Sequence, residues 1–171
     1  MNIFIKDMHA VMKYIPVATL ISLAVAFVYV FTCIARKRDI RIRRLLLYVV
    51  DVIYLVMVLE IALLSRTEGT IADIDFSLFG KYTNDLRGRM YLYENIVMTI
   101  PLGFLLPLTF PRRFKFWDVL LSSLMLSLLI EIIQLTFRCG FCQLSDVWTN
   151  LIGGIIGYIL YKFFKILGGK R

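Results

Sequence analysis

Histidine and cysteine are scarce in this chain of 171 residues, which has one histidine, His9, and three cysteines. This scarcity excludes a zinc catalytic site of the usual histidine-rich kind, and we expect neither a metal nor a cofactor. The N-terminus also lacks the basic start, apolar core and small-residue cleavage site of a secretory signal peptide. We therefore expect the first apolar segment to remain in the protein.

A soluble domain of ordinary composition is also excluded, because 60% of the residues are hydrophobic, against about 45–50% in soluble domains. About 20 mostly apolar residues are needed to cross a bilayer as a helix. Five stretches reach that length, at residues 15–35, 45–64, 91–110, 116–137 and 147–167. The sequence predicts an all-α, polytopic membrane bundle of about five transmembrane helices.

The positive charge of the chain, +8 in total, is concentrated in alternate connections. Residues 36–44, 112–115 and 162–171 are basic, whereas the loop at 65–90 has balanced charge. Basic residues favour the cytoplasmic side of a membrane. We therefore expect an external N-terminus, a cytoplasmic C-terminus, and external loops at 65–90 and 138–145. The cluster at 36–44 could instead bind anionic lipid or nucleic acid, but topology accounts for it and we expect no nucleic-acid partner.

Polar side chains recur near the predicted outer ends of four spans. They are Glu60 in the second span, Glu94 and Asn95 at the start of the third, Glu131 and Gln134 in the fourth, and Asp146 and Asn150 at the start of the fifth. A charged group in a span costs roughly 2.5–3.5 kcal/mol near the bilayer centre, so such groups normally face protein or water. We expect them to converge on one side of the bundle.

Two of the spans carry polar stripes at helical spacing. The fourth span has Ser123, Ser127, Glu131, Gln134 and Arg138, and the fifth has Asp146, Asn150, Gly153, Gly154 and Gly157. Residues three and four apart share a helix face, so we expect the two stripes to face each other. Gly153 and Gly157 have the small-residue spacing that permits close helix approach in lipid. Pro101 removes a backbone hydrogen bond from the third span and is expected to kink it.

Structural roles remain open for several of these residues. Asp146 and Glu94 could cap the starts of their helices, and Gln134 and Asn150 could form interhelical hydrogen bonds, worth roughly 0.6 kcal/mol on average. Glu131 lies deeper and needs a partner, for which Arg138 and Arg66 are candidates. An ionisable group inside a membrane is by default a functional candidate.

Cys139 and Cys142 have the C-x-x-C spacing of redox pairs. Their predicted external position permits a disulfide. Because no thioredoxin-like pattern of strands and helices surrounds them, a small loop disulfide or two unpaired thiols is favoured over redox catalysis. Cys33, in the first span, is predicted to be a small core residue.

Three segments together resemble the VanZ-like family of bacterial membrane proteins: "ENIVMTIPLGFLLPL", "IEIIQ" and "LSDVWTNLIGGIIGY". The matching positions are Asn95, Pro101, Gly103, Glu131, Gln134, Asp146, Asn150, Gly153 and Gly157, and the segment around Arg66 is also similar. Gln143 stands where many members have an acidic residue. The resemblance covers about residues 59–160. We therefore divide the chain into a first helix with its basic connection, 1–44, and a VanZ-like transmembrane domain, 45–171.

The resemblance implies a multipass protein of the cell membrane, related to resistance against teicoplanin, a glycopeptide with a lipid tail, and without a known reaction. We expect it to bind a lipid-linked cell-wall precursor, or to limit lipid-tailed glycopeptides, through an outward-facing polar pocket. The predicted ligand-binding residues are Glu60, Arg66, Glu94, Asn95, Glu131, Gln134, Arg138, Asp146 and Asn150.

Two other functions remain open. Glu131 and Asp146 could serve as the general acid and base of an enzyme acting on a lipid-linked cell-wall substrate. Because no nucleophile or metal set accompanies them, binding is preferred. The glycine face could instead dock another membrane protein, making the chain an assembly partner. Membrane lipids are expected partners in each case, and the sequence does not indicate the oligomeric state.

Overall fold

The structure, a computed structural model, describes residues 2–64, 74–75, 86–137 and 142–169. Within these residues lie five α-helices and two very short strands. In chain order they are α1 (Asn2–Ala35), α2 (Ile42–Leu64), β1 (Ile74–Asp75), α3 (Leu86–Thr109), α4 (Phe116–Phe137), β2 (Cys142–Gln143) and α5 (Leu144–Gly168). Each predicted span corresponds to one helix, and the predicted polytopic helical architecture is confirmed.

Four helices are long and apolar enough to cross a membrane. The segments are Pro16–Ala35 in α1, Leu92–Thr109 in α3, Phe116–Thr136 in α4 and Leu144–Gly168 in α5. α2 is not among these four within the described residues, and it carries Arg43, Arg44, Asp51 and Glu60. The chain is therefore a multipass helical membrane protein, and the span through α2 stays a prediction.

The chain forms two compact units, Met1–Ser65 and Arg66–Arg171. In the first, α1 packs against α2. The Tyr29 ring lies edge-on to Tyr48 with centroids 5.3 Å apart, and the Arg41 backbone N–H donates to the Tyr29 hydroxyl at 3.4 Å. The predicted division after residue 44, drawn from the extent of a sequence resemblance, stays a prediction.

In the second unit, α5 packs against both α3 and α4, and α4 has two contrasting faces. Its exposed side chains are mostly large and apolar: Trp117, Leu121, Met125, Leu128, Leu129, Ile132 and Leu135. Its buried side chains include Ser123, Ser127, Glu131 and Gln134. Since lipid is apolar, polar groups in a spanning helix are expected to turn towards other helices. The second unit follows that rule, with polar side chains inside and apolar side chains outside.

Two helices begin earlier than their apolar stretches, which corrects part of the capping alternative. α3 starts at Leu86, so Glu94 lies two turns inside the helix and cannot cap it, because end effects fade within the first turn. The residue before α5 is Gln143, which makes no side-chain capping bond, and Asp146 lies within the first turn. α3 continues through Pro101 and Pro107 as one helix, and the predicted kink stays a prediction.

Candidate functional site

α3 and α5 approach each other closely because glycines line their contact. A Cβ atom added to Gly153 would meet the carbonyl oxygen of Ile96, and one added to Gly157 would meet that of Ile100. One added to Gly103 on α3 would meet the α5 backbone. The predicted stripe on α5 placed Gly153 and Gly157 opposite the fourth span, and that part of the prediction is wrong, because both glycines contact α3 and only Gly154 contacts α4. Helices in lipid associate through such close packing, because the hydrophobic effect does not favour contact between helices that are already surrounded by lipid.

Hydrogen bonds join all three helices just beyond the closest approach. The Thr99 hydroxyl lies 2.9 Å from the Asn150 carbonyl oxygen, to which it can donate, and the Asn150 Nδ2 donates to Ser127 Oγ at 2.9 Å. All three residues are buried. Thr99, Ser127 and Asn150, from α3, α4 and α5, are here called the middle layer.

A lower layer of small residues lies one turn away. Gly154 follows Asn150 by one turn on α5, and a Cβ atom on it would meet the side chain of Ser123 on α4. The carbonyl of Gly154 contacts the position where Gly103 would carry a Cβ atom on α3. Gly103, Ser123 and Gly154 form the lower layer, in which neither glycine has room for a Cβ atom.

On the other side of the middle layer, one helical turn from Thr99, Ser127 and Asn150, lie Asn95 on α3, Glu131 on α4 and Asp146 on α5. We call these three residues the upper layer. A contact at that level supports the register, because the Gln143 backbone N–H donates to Glu131 Oε2 at 3.1 Å. Glu131 and Asp146 are 4% and 3% exposed. The helix register therefore places two buried carboxyl groups and a part-buried carboxamide at one level.

Further hydroxyl groups support the start of α5 beside the upper layer. Thr149 Oγ1 donates to the Ser145 carbonyl at 2.8 Å, and Ser145 Oγ lies 3.5 Å from Asp146 Oδ1. Both residues are buried. The sequence analysis missed Ser145, Thr149 and Thr99. For Thr99 a signal existed, since it lies one turn from Asn95 on the same face of α3.

A two-residue parallel bridge lies at the same end of the unit. β1 pairs with β2 so that Ile74 is opposite Cys142 and Asp75 opposite Gln143. Gln143 thus joins the bridge, precedes α5, and donates its backbone N–H to Glu131. Glu131 thereby links α4 to the start of α5 and to the strand between α2 and α3.

Aromatic side chains fill the contacts beyond the lower layer. The Phe104 ring of α3 lies edge-on to Tyr161 and Phe164 of α5, with centroids 6.5 and 6.1 Å apart. Phe116 of α4 lies edge-on to Tyr158 of α5 at 5.6 Å. Polar groups are therefore concentrated at the upper end of the unit, where α4 connects to α5, and apolar packing follows at the other end.

The structure separates the predicted site residues into three groups. Asn95, Glu131, Gln134, Asp146 and Asn150 are brought together in the second unit, with Gln134 buried one turn beyond Glu131 on the stripe of α4. Glu94 is exposed, outside the layers, and Glu60 lies in the first unit. Arg66, Arg138, Cys139 and the Cys142 side chain lie outside the described residues, so the predicted arginine partners and disulfide stay predictions.

Two further predictions concern cysteine and metal. Cys33 is buried in α1, as predicted, and is a free thiol. Among the described residues, no group of three or more histidine, cysteine and acidic side chains is placed to hold a metal ion. The carboxyl and carboxamide groups of the upper layer can form hydrogen bonds and exchange protons.

The lower layer allows a test by paired substitution. Gly154→Ala would drive a methyl group against Ser123, and such overpacking costs about 1–3 kcal/mol. We expect a lower unfolding temperature in detergent, and recovery of at least half of the loss in the double variant Gly154→Ala with Ser123→Gly. Equal stability of the two variants would contradict the contact between Gly154 and Ser123.

The sequence is similar to known proteins, and the similarity includes the segments that form the three layers. The family model described as VanZ/LLP1 matches residues 4–165, which extends the likeness over α1, beyond the stretch at 59–160. Protein VanZ of Enterococcus faecium is 39% identical over 70 residues, covering 41% of this chain and 43% of that protein, less than half of its length. No solved structure matches the chain. Because the family model covers nearly all of the sequence, this chain belongs to the VanZ/LLP1 family of membrane proteins.

Proposed function

We propose that this VanZ/LLP1 protein acts in the cell membrane, where the upper layer binds the polar head of a lipid-tailed envelope molecule and so limits the action of teicoplanin-type glycopeptides. The observation that carries the proposal is the burial of two carboxyl groups, Glu131 and Asp146, at the level of the part-buried Asn95, on three spanning helices. Ionisable groups inside a membrane are costly and are kept where they contact ligands, ions or protons.

The charge distribution of the second unit supports an outward-facing upper layer. Arg112, Arg113 and Lys115 connect α3 to α4, at the end opposite the upper layer, and all three are exposed. Lys162 and Lys165 lie near the same end, in the last part of α5. Since basic residues favour the cytoplasmic side, the upper layer belongs at the outer surface. A ligand there would be reached from the cell wall or from the outer leaflet.

The surface around the upper layer suits a ligand with a lipid tail. Ile132 and Leu135 of α4 and Leu144 of α5 are exposed apolar residues next to Glu131 and Asp146 in sequence. An amphiphile could keep its tail against these side chains and present its head to the carboxyl and carboxamide groups. Carboxylates accept strong, charge-assisted hydrogen bonds from hydroxyl and amide donors.

The test is the growth of a susceptible Gram-positive host expressing the wild-type protein or its variants in teicoplanin or vancomycin. We expect the wild type to protect against teicoplanin, and protection to be lost with Glu131→Gln and with Asn150→Ala. Glu131→Gln keeps an oxygen for the Gln143 N–H but removes the charge, whereas Asn150→Ala removes the bond to Ser127. Membrane levels are compared by immunoblot.

Asp118→Asn is the matched control, because Asp118 is an exposed carboxylate at the other end of α4 and accepts only the local Lys115 N–H among the bonds resolved for it. This variant should protect like the wild type. Equal protection by wild type and by both upper-end variants, at matched membrane levels, would exclude the upper and middle layers from the function. If the wild-type protein gave no protection, the glycopeptide role would be rejected, and the site would be expected to bind another envelope molecule.

A further inference from the structure

Two buried polar atoms in the layers have no hydrogen-bond partner among the residues that the structure describes. They are Asn95 Nδ2, a donor, and Asn150 Oδ1, an acceptor. A buried polar group without a partner costs about 1–3 kcal/mol. Native proteins leave few such groups, and each one asks for an explanation.

Both atoms border the upper layer. Asn95 belongs to that layer on α3, whereas Asn150 belongs to the middle layer on α5 and is 2% exposed. Side chains on a helix tilt towards its N-terminus, so the Asn150 carboxamide points towards the turn of Asp146. Its Nδ2 is used by Ser127 on α4, which leaves Oδ1 for the upper layer. A donor from α3 and an acceptor from α5 therefore flank one level.

A ligand that satisfies both atoms must accept one hydrogen bond and donate another, and this requirement distinguishes the possible head groups. A phosphate group has acceptors only, so it would satisfy Asn95 Nδ2, leave Asn150 Oδ1 unmet, and add negative charge beside Glu131 and Asp146. An ammonium group has donors only and would leave Asn95 Nδ2 unmet. A hydroxyl group donates and accepts, and neighbouring hydroxyls can also donate to carboxylates.

We propose that the upper layer binds a neutral, hydroxyl-bearing head group, a sugar or a glycerol, of a membrane amphiphile. This inference rests on the proposed function and names the chemical class of ligand at the same site. Asn95 Nδ2 donates to a hydroxyl oxygen of the head group, and Asn150 Oδ1 accepts a hydroxyl hydrogen. The carboxyl groups of the layer discriminate against anionic head groups.

Tryptophan fluorescence provides a direct readout. The chain has two tryptophans: Trp148, near the start of α5 and two residues from Asp146, and Trp117, 73% exposed at the other end of α4. Trp117→Phe leaves Trp148 as the reporter. The protein is placed in phosphatidylcholine nanodiscs that contain monoglucosyl diacylglycerol, diacylglycerol, phosphatidic acid or the amine stearylamine. We expect the glucosyl lipid to change Trp148 emission and raise the unfolding temperature, and phosphatidic acid and stearylamine to do neither.

The diacylglycerol arm distinguishes the two sources of hydroxyl. A response to diacylglycerol equal to that of the glucosyl lipid assigns the subsite to a glycerol hydroxyl, and a response to the glucosyl lipid alone assigns it to a sugar. Both results support the proposal. A response to phosphatidic acid or stearylamine but to neither hydroxylated lipid would overturn it.

Asn95→Leu separates ligand binding from a structural role. Because Asn95 Nδ2 has no partner among the described residues, its removal should leave the unfolding temperature in plain phosphatidylcholine unchanged or raise it. The same variant should lose the response to the hydroxylated lipid, while Asp118→Asn keeps it. A lower unfolding temperature together with a retained lipid response would overturn the proposal.

Growth tests with Asn95→Leu keep the two proposals distinguishable. Loss of teicoplanin protection in this variant, with no response of the wild type to either hydroxylated lipid, would reject the ligand class and leave the proposed function standing. A glucosyl-lipid response that Asn95→Leu removes, in a protein that gives no teicoplanin protection, would retain the ligand class and reject the protection.

Discussion

Gly157→Ala is expected to destabilise the second unit strongly. The added methyl group would meet the carbonyl oxygen of Ile100, with the backbone of Gly103 and Phe104 immediately behind it. These α3 backbone atoms cannot rotate away from the added methyl group, as the end of a flexible side chain could. We therefore expect a cost at the upper end of the range for overpacking, about 3 kcal/mol. The measurements are the unfolding temperature in detergent and the fraction of protein that stays monodisperse after extraction.

Gly168→Ala is the matched control on the same helix. No atom lies within 4 Å of the position where Gly168 would carry a Cβ atom, and alanine is a better helix former than glycine. This variant should be as stable as the wild type or slightly more stable. If both variants behaved alike, the close approach of α3 and α5 at Gly157 would be wrong.

Glu131→Ala is expected to loosen the start of α5 and the short bridge together. Glu131 Oε2 accepts the N–H of Gln143, and leaving that donor without a partner costs about 2 kcal/mol. Gln143 also pairs with Asp75 and precedes α5. We therefore expect faster amide hydrogen exchange across residues 142–150, along with a lower unfolding temperature and loss of teicoplanin protection.

Glu131→Gln distinguishes the hydrogen bond from the charge. Glutamine keeps an acceptor oxygen of similar reach, so hydrogen exchange and unfolding temperature should stay close to those of the wild type. Teicoplanin protection should nevertheless be lost, because the proposed site uses the carboxylate. Protection at the wild-type level in Glu131→Gln would show that the charge is not needed, and equal hydrogen exchange in Glu131→Ala and wild type would contradict the Gln143 contact.

Helix positions followed well from hydropathy, but helix starts did not. The predicted span at 116–137 coincides with α4 at both ends. α1, in contrast, begins at Asn2, although the apolar stretch was predicted from residue 15, and α3 begins at Leu86. Hydropathy identifies the part of a helix that can lie in hydrocarbon, and a helix does not have to end at the membrane surface. The capping role for Glu94 failed for this reason.

The contact between α4 and α5 could be predicted because polar side chains recur at helical spacing in both sequences. Ser127 and Asn150 lie on polar stripes with helical spacing, and the structure joins them by a hydrogen bond. The partner of the glycines could not be predicted. Gly153 and Gly157 contact the carbonyl oxygens of Ile96 and Ile100, and every residue has such an oxygen.

The interhelical contacts of neutral hydroxyl groups, and the two short strands, could not be predicted from the sequence. A threonine in a helix can donate to a carbonyl of its own preceding turn, and Thr99 lies within reach of the Asn95 carbonyl as well as that of Asn150. Only the packed helices reveal the second contact. The bridge of Ile74–Asp75 with Cys142–Gln143 pairs segments far apart in the chain, and two residues are too few for a strand pattern.

The glycine contacts also constrain the order of assembly during synthesis. α3 and α4 leave the ribosome before α5, because chains are made from the N-terminus. Until α5 arrives, Ile96 and Ile100 have no glycine partners, Ser127 lacks the Asn150 side chain, and Glu131 lacks the Gln143 N–H. A nascent chain stalled before Leu144 would present a buried carboxyl group to lipid or to the insertion machinery. Translation of Gln143 and α5 is therefore the step at which Glu131 and Ser127 gain these hydrogen-bond partners and the second unit can close.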